Sequence, residues 1–121
     1  MTRILVVDDD PGILTLEEKI LSREGYEVVT ASDGNRAVEL VKQQEFDLVL
    51  LDVMMPGLDG FEVSRTFQRE GGPRSVPVVF VTAKDDPDAM REGFRSGGTV
   101  FLSKPFTANQ LLRVVHSMLE R

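Results

Sequence analysis

The sequence contains no cysteine and no tryptophan, and it has a single histidine among its 121 residues. The lack of cysteine excludes disulfide bonds and thiolate metal sites, and it fits a reducing cytoplasm, where we expect the protein to reside. No apolar run approaches the ~20 residues that a membrane-spanning helix needs, so we expect neither a membrane span nor a signal peptide. The formal net charge of −6 argues against nonspecific nucleic-acid binding by this domain.

The size and composition indicate one soluble domain. A chain of 121 residues is expected to form a single domain over residues 1–121 that buries roughly two-thirds of the surface of its unfolded chain. Hydrophobic residues make up 41% of the sequence and charged residues 28%, which is typical of globular proteins. The sequence contains no internal repeat and no linker-like segment, so nothing in it suggests a domain boundary.

Strand-like runs alternate with segments of helical spacing along the chain. This alternation predicts an α/β fold in which helices cover both faces of a parallel sheet. The packed face of the first helix is expected to contain Ile13, Leu16, Ile20 and Leu21. The fourth helix, within residues 86–98, has few apolar anchors and several glycines, so we expect it to be more mobile than the others. The five strands are expected over residues 3–7, 26–31, 47–51, 76–82 and 99–103.

Polar residues follow or end four of the five predicted strands. They are Asp8, Asp9 and Asp10 after the first strand, Asp52 after the third, Thr82 at the end of the fourth and Lys104 after the fifth. Because the carboxyl ends of parallel strands share one edge of the sheet, we expect these side chains to lie close together. Asp10, directly before Pro11, is expected to cap the first helix, which leaves Asp8 and Asp9 for another role.

The residue types at this edge favour phosphate chemistry with a hard cation. Three neighbouring carboxylates repel one another, which raises a pKa or requires a cation. A site with only oxygen ligands favours Mg²⁺ over zinc or copper, and His116 lies far along the chain in the last helix. Lys104 and Thr82 offer an ammonium group and a hydroxyl group to a phosphate. Taken singly, Asp52 could be a turn residue, Thr82 a β-branched strand residue and Lys104 a solvated lysine.

Four segments at these strand ends together resemble the receiver domain of two-component response regulators, over the whole length of the chain. The resemblance implies an α/β, flavodoxin-like doubly wound fold with a five-stranded parallel sheet in the order 2-1-3-4-5 and helices on both faces. The segments are ILVVDDD (4–10), DLVLLDVMMPGLDG (47–60), VPVVFVTA (76–83) and FLSKPF (101–106).

The resemblance also implies a phosphoacceptor and a metal site. Asp52 would attack phosphorus and form an acyl phosphate, with Mg²⁺ as the cofactor. Asp9 would bind the metal directly and Asp8 through a water molecule, and the backbone carbonyl of Met54 would complete the protein ligands together with Asp52.

Three further residues acquire roles from the resemblance. Thr82 would donate a hydrogen bond to a phosphoryl oxygen, and Lys104 would pair with the phosphate. Phe101 would be a switch residue whose ring turns inward when Thr82 moves. The Lys104-Pro105 peptide bond is expected to be cis, as it characteristically is in this family.

The resemblance implies a regulatory domain, which is not an enzyme beyond assisting its own phosphotransfer and autodephosphorylation. Its expected partners are a sensor histidine kinase or a histidine phosphotransfer protein, and an output domain or downstream protein. Signalling would use the face formed by the fourth helix, the fifth strand and the fifth helix. Thr99 and Val100 replace an acidic pair that supports dimers in one class of the family, so a monomer or a weak phosphorylation-dependent dimer is expected.

Three other functions are alternatives to the signalling switch. A hydrolase working through an aspartyl phosphate would need a second acid where this chain has Met54. A flavodoxin-type carrier would bind an FMN phosphate where Asp8, Asp9 and Asp10 would repel it. A receiver-like interaction module that is never phosphorylated stays open. Both a stand-alone regulator and the N-terminal domain of a longer protein are compatible with the sequence.

Overall fold

The fold is a five-stranded parallel sheet with helices on both faces. The computed structural model describes residues 1–55, 60–70, 76–82 and 100–119, without the side chains of residues 68–70 and 82. All four strand pairs are parallel, and the strand order is β2-β1-β3-β4-β5. This confirms the predicted fold class and strand order. The strands are β1 (Arg3–Val7), β2 (Glu27–Ala31), β3 (Leu48–Asp52), β4 (Val78–Thr82) and β5 (Val100–Ser103).

The central strands consist of continuous apolar runs because helices cover both sides of the sheet. In β3, every residue from Leu48 to Leu51 is at most 1% exposed, and the run ends on Asp52. In the register of the sheet, Asp52 lies beside Val81 of β4. The carboxyl ends of the strands are therefore aligned at one edge, where the polar residues were expected.

Four helices are described, and they divide the core into two layers. They are α1 (Pro11–Arg23), α2 (Gly34–Gln43), α3 (Gly60–Glu70) and a C-terminal helix (Ala108–Leu119). One apolar cluster joins α2 and α3 to one face of the sheet, and the other joins α1 and the C-terminal helix to the opposite face. The predicted fourth helix and its expected mobility fall outside the described residues. None of the described helices is long and apolar enough to span a membrane.

Asp10 caps α1, as predicted. Its side chain accepts hydrogen bonds from the backbone N–H groups of Gly12 at 2.8 Å and Ile13 at 3.4 Å, and Pro11 begins the helix. Capping satisfies backbone donors that the first helical turn leaves without partners. The role of Asp10 is therefore local, and its two predecessors remain available at the edge of the sheet.

Candidate functional site

Three carboxylates meet at the carboxyl edge of the sheet. Asp8 and Asp9 follow β1, Asp52 ends the neighbouring strand β3, and one oxygen of each lies within 4.8 Å of the others. Asp8 is 1% exposed and Asp52 4% exposed, whereas Asp9 is open to solvent. Asp8 is held in place because its Oδ1 accepts a hydrogen bond from the N–H of Asp10 at 2.9 Å. The fold thus brings together the three acids that the sequence placed at this edge.

Lys104 extends from the segment after β5 and contacts two of these acids. Its Nζ donates a hydrogen bond to Asp8 Oδ2 at 2.7 Å and lies 3.5 Å from Asp52 Oδ1. Burial alone lowers the pKa of Lys104, but the hydrogen bond to Asp8 and the charge of Asp52 raise it above its ordinary value. Lys104 is therefore a fixed ammonium group in this site. The Lys104-Pro105 bond is cis, as predicted.

Asp52 is a carboxylate in an unfavourable environment for its own charge. Burial and the neighbouring charge of Asp8 raise its pKa to about 6, while Lys104 and the N–H of Met54 oppose the increase. The Met54 N–H donates to Asp52 Oδ1 at 3.3 Å. At neutral pH the Asp52 carboxyl group is mostly ionised, and the negative charge of Asp8 lies close to it. Such an arrangement can hold a cation and can act as an oxygen nucleophile.

The segment after Asp52 is fixed by backbone contacts. The N–H of Val53 donates to the carbonyl of Val81 at 3.0 Å, and the N–H of Gly60 donates to the carbonyl of Val53 at 3.1 Å. The side chain of Met54 is 71% exposed, so the backbone of this residue, and not its side chain, lies at the site. The use of its carbonyl as a metal ligand stays a prediction.

Thr82 and Phe101 lie where the sequence placed them in the sheet. Thr82 ends β4 beside Ser103, and its side chain is outside the described residues. Phe101 is partly buried in β5, and its ring centroid lies 5.5 Å from that of Phe80. His116 is not brought to this edge: its Nε2 lies 3.8 Å from Glu24 Oε2 in a half-exposed pair. The switch roles of Thr82 and Phe101 stay predictions.

Comparison with known proteins identifies the family. The family described as "Response regulator receiver domain" matches residues 4–116. This chain belongs to that family. Receiver domains are regulatory signalling domains rather than classical enzymes, and they interact with histidine kinases and downstream partners. The predicted family is thereby confirmed, together with its general function in two-component signalling.

The receiver domain resembles proteins of different lengths. It is 42% identical over 119 residues to the transcriptional regulatory protein YrkP of Bacillus subtilis, covering 98% of this chain and 50% of YrkP. It is 35% identical over 119 residues to PilH of Pseudomonas aeruginosa, covering 98% of both. The solved receiver domain of the sensor histidine kinase PA1611 of the same species has a magnesium ion in its active site cleft. It superposes with a TM-score of 0.90 at 30% identity, covering 99% of this chain and 98% of that chain.

Glu17 is a buried acidic residue of the receiver domain that the sequence pattern did not predict. Leu16 was predicted to lie on the packed face of α1, but it is 44% exposed, whereas Glu17 is only 1% exposed. Within the described part of the chain, Glu17 Oε1 has no hydrogen-bond partner. The available signal was the helical spacing itself, since Glu17 follows Ile13 by four residues and precedes Leu21 by four. Because glutamate is rarely buried, the hydrophilic character of Glu17 argued against placing it on the packed face of α1.

Replacing Lys104 with methionine is expected to raise the pKa of Asp52 further above about 6, because the ammonium group that opposes this increase is removed. A Lys104→Arg variant keeps the positive charge, so the pKa of Asp52 should be lower in it than in Lys104→Met. The measurement is the carboxyl ¹³C shift of Asp52 followed against pH in solutions free of divalent cations. Equal titration midpoints in the wild type and Lys104→Met would contradict the electrostatic role of this lysine.

Proposed function

We propose that this receiver domain is a phosphorylation-dependent signalling switch that accepts a phosphoryl group on Asp52 from a phosphohistidine. One observation carries the proposal. The Asp52 carboxylate, buried at the end of β3, lies within 4.8 Å of oxygens of Asp8 and Asp9 and 3.5 Å from the Lys104 ammonium group. A nucleophilic oxygen, an acidic pocket for a cation and a fixed positive charge are the parts that phosphoryl transfer requires.

In the proposed reaction, an Asp52 oxygen forms a bond to phosphorus, and the phosphorus–nitrogen bond of the donor phosphohistidine breaks. The donor imidazole leaves with the bonding electron pair and takes up a proton. Lys104, already held by Asp8, is positioned to pair with the phosphoryl oxygens. Asp52 must be ionised to attack, and its pKa of about 6 leaves it so at neutral pH.

The residues at the edge of the sheet fit Mg²⁺. The acidic group consists of carboxylate oxygens, and burial and the negative charge of Asp8 raise the pKa of Asp52. The proposed ligands are Asp9, Asp52 and the carbonyl of Met54, together with Asp8 through a water molecule. A bound Mg²⁺ would offset the charge of these carboxylates and of the incoming phosphoryl group. The magnesium ion in the active site cleft of the PA1611 receiver domain supports this assignment.

The proposed output involves Thr82 and Phe101. Thr82 would donate to the phosphoryl group, and Phe101 would turn inward in response, changing the face that contains the fourth helix, β5 and the C-terminal helix. A sensor histidine kinase or histidine phosphotransfer protein would be the donor, and the cytoplasm the compartment. The chain spans half the length of YrkP and 98% of PilH. An attached output domain and a separate downstream protein are both proposed readers of the switch.

The test is the intact mass of the protein after incubation with acetyl phosphate, with Mg²⁺ and with EDTA. We expect the mass to increase by one phosphoryl group only when Mg²⁺ is present, and the increase to be lost in hydroxylamine, which cleaves acyl phosphates. A folded protein that binds Mg²⁺ but gains no mass, even with rapid quenching, would contradict the proposal. Catalytic turnover of added phosphomonoesters would favour the hydrolase instead.

A further inference from the structure

Glu17 is a buried acid that the proposed phosphotransfer does not use. It lies on α1 one turn before Leu21, which is completely buried in the apolar cluster beneath this helix. Glu17 is 1% exposed, and its Oε1 has no hydrogen-bond partner among the residues that the structure describes. A buried carboxyl oxygen without a hydrogen-bond partner is unfavourable for folding, since its lost hydration is not replaced. Packing alone would favour an apolar residue here.

The surroundings of Glu17 connect it to the acidic site. Burial and the charges of Asp8 and Asp52 together raise its pKa to about 8, while the charge of Lys104 opposes the increase. These charges come from the ends of β1 and β3 and from the segment after β5. Among the described residues, they are the charged groups that shift the pKa of Glu17. The carboxyl group is therefore close enough to the site to respond to its charge, and at neutral pH it is mostly protonated.

We propose that Glu17, buried on α1, is a further acidic residue coupled to the cation site, which releases its proton when a divalent cation binds at Asp8, Asp9 and Asp52. The inference rests on the proposed cation site and adds that a proton on Glu17 regulates cation binding there. Without a bound cation, burial and the negative charges of Asp8 and Asp52 hold the proton on Glu17. A bound divalent cation reverses the sign of the local field and favours the carboxylate. Cation binding and proton release are then linked, and the affinity for the cation rises with pH.

The comparison with a glutamine variant identifies the source of the protons. Around pH 7.5, Glu17 with its pKa of about 8 is still mostly protonated. Any protons that the wild type releases in excess of Glu17→Gln on cation binding therefore come from Glu17. A neutral glutamine at position 17 keeps the size of the side chain but has no proton to release.

The experiment is calorimetric titration of the full chain with Mg²⁺ at pH 7.5 in two buffers of different ionisation enthalpy, which gives the number of protons released per cation. The wild type should release at least about half a proton more than Glu17→Gln. Between pH 7 and pH 8, the affinity of the wild type for Mg²⁺ should also rise by a factor about three times larger than that of Glu17→Gln. Glu18→Gln makes the same substitution on the exposed side of the same helix and should behave like the wild type.

Three results would contradict the proposed role of Glu17. Equal proton release from the wild type and Glu17→Gln would overturn the role of Glu17 but leave the cation site in place. No Mg²⁺ binding by the wild type would overturn both. If Glu17→Gln does not fold, the carboxyl ¹³C shift of Glu17 in the wild type serves instead. Its titration midpoint should fall when Mg²⁺ is added, and an unchanged midpoint would contradict the inference.

Discussion

Replacing Asp52 with asparagine is expected to abolish phosphorylation by acetyl phosphate and to stabilise the folded protein by about 2–3 kcal/mol at pH 8. Phosphorylation is lost because an amide cannot act as the nucleophile. Stability increases because burial and the charge of Asp8 disfavour the Asp52 carboxylate in the folded protein. The replacement removes this charge, and Lys104 keeps its hydrogen bond to Asp8 at 2.7 Å.

The stabilisation by Asp52→Asn should depend on pH. The pKa of Asp52 rises from an ordinary value of 3.8 to about 6 on folding, so the folded protein holds a proton that the unfolded chain releases between these values. The wild type therefore loses stability as the pH rises from about 4 to about 6, and this contribution is constant above that range. The gain from the replacement should be small at pH 4 and complete at pH 7. Urea unfolding in EDTA across this range measures it.

Asp47→Asn is the matched control for Asp52→Asn. Asp47 precedes β3 at its amino end, is exposed, and accepts a hydrogen bond from the N–H of Arg3 at 2.8 Å, which an asparagine oxygen can also accept. This variant should still be phosphorylated, and its stability should change by less than about 1 kcal/mol. Phosphorylated Asp52→Asn protein, or equal unfolding midpoints for Asp52→Asn and the wild type at pH 8, would contradict the corresponding part of the prediction.

Replacing Gly60 with alanine is expected to destabilise the protein by about 3 kcal/mol or more. Gly60 begins α3 directly against the end of β3, where a Cβ atom would overlap the carbonyl oxygen of Asp52 and lie 2.9 Å from the Cα of Val53. These atoms belong to the buried backbone at the end of β3 and directly after it, so no side-chain rotation can relieve the overlap. Either α3 or the strand end that carries Asp52 must move.

Gly12→Ala is the control for Gly60→Ala. Gly12 also lies in the first turn of a helix, but a Cβ atom there would approach only the side chain of Asp10, at 3.2 Å. A small adjustment of that carboxyl group and the better helix propensity of alanine should keep the change within about 1 kcal/mol. Urea unfolding of both variants measures the difference. If Gly60→Ala were as stable as Gly12→Ala, the close approach of α3 to β3 would be wrong.

Most of the fold could be predicted because the signals for it are local. The apolar run from Leu48 to Leu51 indicated a strand buried on both faces, and Asp10 before Pro11 indicated the start of a helix. The predicted strand over residues 26–31 begins one residue early and the one over residues 76–82 two residues early, since strand ends depend on where pairing stops. The strand order came from the resemblance to receiver domains and is confirmed.

The sequence by itself determined which residues lie at the carboxyl edge of the sheet. Asp8, Asp9, Asp52 and Lys104 each follow or end an apolar run, and parallel strands align their carboxyl ends whatever the details of packing. The family followed from the same four segments. The position of these polar residues and the family both depend on the pattern and spacing of residue types, which can be read directly from the sequence.

Only the tertiary structure decided how these groups interact. The 2.7 Å contact between Lys104 and Asp8 joins residues 96 positions apart, and the burial that raises the pKa of Asp52 comes from several elements together. The position of Glu17 shows the same limit. Its exposure depends on the rotation of α1 against the sheet, and Leu16 and Glu17 exchange the places that hydrophobicity alone assigns to them. Burial and electrostatic coupling are properties of the packed assembly, so spacing along the chain does not determine them.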